Sequence, residues 1–348
     1  MGTHPTPSGR PSRRQVLACA AGLASAGAIT GYAWHHFRSG VPGSDSDVPV
    51  PAGGYRFERR AAPARTVVRA ADERVLATFT DGARTALLTG PTRTWSEPRT
   101  TGAVVRSDAW VRLMGSAWSQ GKERTHWFRE WFPKALADRS PDAFAVAFQY
   151  GDGAPDLRTA SGLRYGGNAR FGPRVPGQSE TSFHYRDEKS DFYDYLGIPW
   201  TFPDGTRKYP EKERYGAVDC SGFMRLVWGY RMGYPMHATN GPGIGLPRRA
   251  YAIASRAPGV LLLPNTGRPP ADFSRLLPGD LVFFAIDIGR PHGIDHCGIY
   301  LGPDTDGRPR FYSSRSRANG PTMGDLAGRA TLDGPGFYAQ GFRMARRL

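Results

Sequence analysis

The chain has 348 residues, a formal net charge of +15 and 39% hydrophobic residues. That length has room for two domains, and that apolar content is enough for a packed core, which excludes global disorder. The positive charge is overwhelmingly arginine, yet no basic helix, zinc-finger spacing or aromatic RNA-binding signature accompanies it, so nucleic acid is excluded as the partner.

In chain order, the first element is a leader. Ser12-Arg13-Arg14-Gln15-Val16-Leu17 is a twin-arginine pattern ahead of a mildly apolar, Ala/Gly-rich run from Val16 to Trp34. Ala24-Ser25-Ala26 and Ala26-Gly27-Ala28 both fit the small-residue rule for cleavage, so residues 1–34 read as a Tat export signal. The run is nearly long enough to span a bilayer, which keeps a retained N-terminal membrane anchor open as the alternative. Cys19 precedes most of the apolar run and is a poor lipidation site. An exported chain works in or beyond the cell envelope, secreted or wall-associated, where its charge suits anionic cell-wall polymers. Without the leader only Cys220 and Cys297 remain, too few for a disulfide framework; one bridge between them would consume Cys220.

Residues 35–54 are rich in Gly, Pro, Ser and Asp and read as a linker. Residues 55–170 read as a small α+β module of unassigned role. Asp81-Gly82 between two strand-like runs predicts a hairpin. Trp127, Phe128, Trp131 and Phe132 recur at helical spacing up to Pro133, and Ser140-Pro141-Asp142 is expected to open a further helix with Ser140 as cap. The module carries no catalytic motif, and its aromatics read as core. A polar stretch over 171–190 is the expected domain boundary.

The segment 190–348 carries the chemistry. Phe223, Leu226, Val227 and Tyr230 form one helix face that Gly233 stops. The proline-rich stretch 234–276 reads as irregular. Strands are expected at Leu281–Phe284, His296–Leu301, Arg310–Ser314 and Phe342–Ala345, an α+β order. Asp219 fits the cap of the helix, which places Cys220 in its first turn, where the helix terminus favours thiolate. Gly222 is expected to leave the approach to the sulfur uncrowded. His296 is the candidate base. Strand alternation puts His296, Gly298 and Tyr300 on one face and Cys297 on the other, so Cys297 reads as core and Gly298 as room for substrate. His292, His237 and His184 read as structural. A hairpin that pairs Gly302 with Gly307 sets His296 opposite Ser313, whose hydroxyl would orient the imidazole; a slip by two brings Arg315 there, and Asn319 is the second choice for the third group. No metal-ligand spacing, P-loop or dinucleotide fingerprint is present, so no metal or cofactor is expected.

Three motifs in this order, Asp219-Cys220-Ser221-Gly222-Phe223, Leu277-Pro278-Gly279-Asp280-Leu281-Val282-Phe283-Phe284 and His296-Cys297-Gly298-Ile299-Tyr300-Leu301-Gly302, resemble the NlpC-type branch of the papain-like cysteine peptidases. The resemblance covers about 190–348. It implies a papain-like fold, a central antiparallel sheet packed on helices with the nucleophile at a helix start. It also implies hydrolysis of peptidoglycan stem peptides, typically between γ-D-glutamate and a diamino acid. By position Cys220 is then the nucleophile, His296 the base and Ser313 the third residue, where the family usually has His. Asp219 and Ser221 flank the cysteine where some members hold a substrate amine. The family's upstream tyrosine aligns with Trp200, which lacks a hydroxyl, so Tyr195 or Tyr215 would have to substitute. Two other readings stay open: an amidase or acyltransferase on a different amide or ester, and a non-catalytic wall-binding protein with a vestigial site.

Overall fold

The computed structural model describes residues 54–182, 184–287 and 293–348. The leader, the linker up to residue 53 and His292 lie outside the described residues. The described residues form one compact unit.

Strands β1 (Arg56–Arg60), β2 (Arg65–Arg69), β3 (Val75–Thr80), β4 (Thr85–Ser96) and β5 (Val104–Leu113) form an antiparallel meander in sequence order. The hairpin at Asp81-Gly82 is present: Phe79 pairs with Ala86, and Gly82 turns at φ 85°, a conformation open to glycine at no steric cost. One face of the meander packs Val68, Leu76, Phe79 and Leu88 against Phe128 and Phe132 of helix α1 (His126–Ala137). That helix passes through Pro133 rather than stopping there. Ala135 and Leu136 extend its buried stripe, and their burial offsets the ~3 kcal/mol that an interior proline costs. Helix α2 (Ala143–Phe148) is capped by Asp142, not Ser140: the carboxylate accepts the Ala145 amide at 3.0 Å and is held by Arg93.

A ribbon of β6 (Leu157–Arg158) and β7 (Arg164–Gly166), helix α3 (Phe192–Leu196) and a ribbon of β8 (Trp200–Thr201) and β9 (Arg207–Lys208) lead to α4 (Cys220–Met224), which runs on in π-helical form over Arg225–Arg231. The stretch expected to be irregular holds α5 (Ala250–Arg256) and β10 (Val260–Leu263). Then follow β11 (Leu281–Phe284), β12 (His296–Pro303), β13 (Pro309–Arg315), β14 (Gly320–Thr322), α6 (Phe337–Gly341) and β15 (Phe342–Arg347). The second sheet has the order β10-β15-β11-β12-β13-β14. Its strands pair antiparallel, so the α+β class with an antiparallel sheet packed on helices holds.

Alternation divides the two faces of this sheet. Cys297, Ile299 and Leu301 pack with Cys220, Phe223, Leu226 and Val227 of the α4 segment. Val282, Phe284, Tyr300 and Phe311 pack on the other face with Tyr338 and Phe342. The boundary expected at 171–190 divides no core, because Val105, Val111, Phe144 and Tyr150 share one buried cluster with Phe223, Ile299 and Tyr312. Polar ties reinforce the join. Arg347 grips Asp280 at 2.7 and 2.8 Å and donates to Thr80 of β3 at 2.5 Å.

Candidate active site

The start of α4 is built by a buried ionic network. Asp219 caps the helix, accepting the Gly222 amide at 2.7 Å and the Ser221 hydroxyl at 3.0 Å. Arg248 donates to Asp219 at 2.6 Å and to Ser221 at 2.8 Å, and it reaches Asp191, which also pairs with the fully buried Arg225. Asp219 and Ser221, expected together with Trp200 to contact substrate, have their polar atoms engaged by Arg248. Gly222 serves a different purpose from the one expected. A Cβ there would stand 2.3 Å from the Ser190 carbonyl oxygen and 3.0 Å from Asp191 Cα, so the glycine admits the chain at 190–191, not a substrate.

Cys220 is 7% exposed. Its Sγ lies 3.8 Å from the carbonyl oxygen of Asp295, the peptide group that carries the amide nitrogen of His296. The sulfur of Cys297 is within hydrogen-bonding reach on the same side. That contact, and then burial, push the Cys220 thiol well above its usual pKa. The helix start was expected to lower it; the Cys297 contact and the loss of water act in the opposite direction.

His296 is 6% exposed, and its Nε2 lies 3.2 Å from Ser313 Oγ. The expected partner is therefore in place, by a different register. Ile299 pairs with Tyr312 and Tyr300 with Phe311, so Ser313 stands across from Gly298 and meets His296 diagonally. Gly298 makes that possible: a Cβ there would lie 2.9 Å from Phe311 Cδ2 and 3.1 Å from Ser313 Cβ. The space at Gly298 is thus filled by the protein rather than kept for substrate. Burial first, and then the Arg315 cation, lower the imidazole to about 3. Both shifts favour the uncharged thiol and the uncharged imidazole. Among the described residues no hydrogen bond joins the two.

Other expected residues lie elsewhere. Trp200 packs edge-on against Phe192 and Tyr230, at 5.2 and 5.8 Å. Tyr230 is ten residues past Cys220 on the helical segment, on the order of 15 Å away, so Trp200 is remote from the thiol. The Tyr195 hydroxyl donates to the Gly167 carbonyl at 2.7 Å, and Tyr215 is exposed beside Gly197. Asn319 turns at φ 59° and accepts the Phe171 amide. His237 sits near Thr239, and its carbonyl accepts from Arg225. Sequence reasoning did not single out Tyr338, whose ring centroid is 5.5 Å from that of His296, or Glu188. Burial, then Asp219 and Asp295, raise the Glu188 carboxyl to about 7. Neither carries a local signal, since only the tertiary fold brings α6 and the irregular segment before α3 to this place.

Residues 204–311 match the model of the NlpC/P60 family. The chain carries an NlpC/P60 domain. The match includes Cys220 and His296 and stops just short of Ser313. NlpC/P60 proteins are generally cell-wall peptidases, typically of the cysteine type. Among solved structures, a lipoprotein-like NLP/P60 family protein of Staphylococcus aureus is 21% identical, with 45% of this chain and 38% of that chain covered and a TM-score of 0.24. An NlpC/P60 family protein of Bacillus cereus is 14% identical over 84% and 78% of the two chains, TM-score 0.26. The NlpC2 protein of Trichomonas vaginalis is 13% identical over 81% and 80%, TM-score 0.29. This chain thus spans well under half of the staphylococcal protein's length. No curated protein matches the chain.

Proposed function

We propose that the protein is an exported cysteine endopeptidase that hydrolyses amide bonds in peptidoglycan stem peptides, at the γ-D-glutamyl–diamino acid link. The observation that supports this best is that an NlpC/P60 domain sets a cysteine at a helix start against the peptide group leading into a histidine that is itself bonded to Ser313. In this reading the Cys220 sulfur attacks the amide carbonyl while its proton passes to His296 Nδ1. Nε2–H meanwhile donates to Ser313. The imidazolium then gives the proton to the departing amine, and water releases the acyl group through the same base.

Purified cell wall incubated with the wild type is expected to release muropeptides cut at that link, seen by mass spectrometry, and Cys220→Ala to release none. Identical fragments from both proteins would refute the proposal. Ser313 in place of the family's usual histidine favours a second reading, an amidase or acyltransferase on another amide or ester, for which the wall would yield no fragments while a small amide or thioester is turned over.

A further inference from the structure

Arg315 closes β13 on the His296 side of the sheet. Continued by three residues, the ladder that pairs Ile299 with Tyr312 sets residue 315 opposite residue 296, and opposed side chains share a face. The Arg315 side chain is 2% exposed. Nη1 donates to the Gly328 carbonyl at 2.7 Å and Nη2 to the Gly324 carbonyl at 2.6 Å, while Nε has no partner. Among the described residues no carboxylate stands within ion-pair distance. Glu97, which feels its charge, is occupied by Thr322, Thr100 and the Met323 amide. The guanidinium carbon lies 5.0 Å from the centre of the Tyr338 ring, whose centre is 5.5 Å from that of the His296 imidazole. Cation, phenol and imidazole pack together in one buried group.

A buried cation held by carbonyls and a ring, with no counter-charge, is costly to a fold. Here the cost falls beside the candidate base. The other groups that face His296 are Phe284 of β11, Ser313 of β13, Tyr338 of α6 and the Cys220 helix start; the Asp295 carboxylate turns to the Ile286 and Asp287 amides instead. We propose that Arg315 is a positioning residue for His296, a fixed uncompensated charge that keeps the imidazole uncharged at rest and makes it a stronger proton donor once it has taken the thiol proton. The inference rests on the reading of His296 as the base for Cys220. The proton that leaves sulfur as the S–C bond forms is the one that reaches the leaving amine as the C–N bond breaks. A neighbouring cation opposes the first transfer and drives the second.

The test is a ring-nitrogen NMR titration of the full chain, with His296 assigned from its loss in His296→Gln. In the wild type, His296 is expected to stay neutral between about pH 5 and 8. Arg315→Gln should raise its midpoint by at least about one pH unit, and Arg315→Lys should restore the wild-type behaviour. The acid limb of the kcat/KM profile should move up with the midpoint in Arg315→Gln. Wild-type titration near 6.5, an unmoved midpoint in Arg315→Gln, or Lys behaving as Gln would overturn the proposal. If Arg315→Gln does not fold, the wild-type and Lys titrations decide it alone. Hydrolysis retained by Cys220→Ala would sink the peptidase reading while leaving these midpoints as they are, so the two failures are distinct.

Discussion

Gly222→Ala sets two opposed effects against each other. In an ordinary helix interior the change would stabilise by about 1 kcal/mol, through helix propensity and a less flexible unfolded chain. Here the new Cβ would stand 2.3 Å from the Ser190 oxygen, 3.0 Å from Asp191 Cα and 3.2 Å from Asp219 Oδ1. Ordinary contacts need roughly 1 Å more, so the 190–191 backbone must retreat, at ~1–3 kcal/mol for overpacking. The Ser190 carbonyl accepts the Asp219 amide at 2.9 Å, and losing that bond adds about 1 kcal/mol. The steric effect wins, with a net loss of about 1–3 kcal/mol. Urea unfolding followed by tryptophan fluorescence should show a lower midpoint at unchanged slope. An equal or higher midpoint would refute the close approach that α4 is argued to require.

Three further outcomes are expected. Cys297→Val removes the acceptor beside the Cys220 thiol, so the pH midpoint for alkylation of Cys220 by iodoacetamide should fall; an unchanged midpoint would mean that the contact does not govern the thiol. The folded-state pKa of Glu188 is raised from 4.5 to about 7. Between those values the folded chain binds more protons than the unfolded one, so this group's contribution to stability falls as pH rises through that window and is lowest above it. Glu188→Gln should therefore gain stability relative to wild type from pH 4.5 to 7 in urea titrations, and a constant difference would contradict the assignment. Ser313→Ala should lower kcat/KM roughly tenfold, the equivalent of one hydrogen bond of ~1.4 kcal/mol, with little change in unfolding midpoint; full activity would leave His296 without need of that partner.

What could be read from the chain was mostly local. The Asp219 cap, the first-turn cysteine, the strand phase of His296 and the Asp81-Gly82 hairpin depend on neighbours within a few residues, and the structure has them. The His296–Ser313 contact was anticipated from a hairpin register that the fold does not use. The turn is longer than expected, with Gly302 paired to Arg310, and a bulge between Tyr300 and Gly302 moves the register by one residue; the diagonal geometry still brings the two side chains together. Gly222 and Gly298 were both assigned to substrate space because a glycine's reason is held by whatever approaches it, and here that is Ser190 and Phe311. Helix α5 was hidden by the prolines around it, although Ala250, Ala252, Ile253 and Ala254 supply its buried side. Pro133 misled in the opposite sense, since propensity yielded to packing. Arg315 was foreseen opposite His296 only as the product of a slip by two, and Tyr338 is an ordinary residue until the fold sets it beside the imidazole.

Strand β15 lies in the interior of the second sheet, between β10 and β11, yet it is made from residues 342–347. During synthesis the platform under Cys220 and His296 lacks this strand until residues 342–347 have emerged from the ribosome. Its pairing with Val260–Leu263 and Leu281–Phe284 closes loops of some sixty residues or more, the kind of non-local contact that forms slowly. A partly made chain thus carries the reactive pair without the scaffold that aligns it. On the proposed reading, this order of assembly delays activity until folding is finished, which suits export of a folded protein.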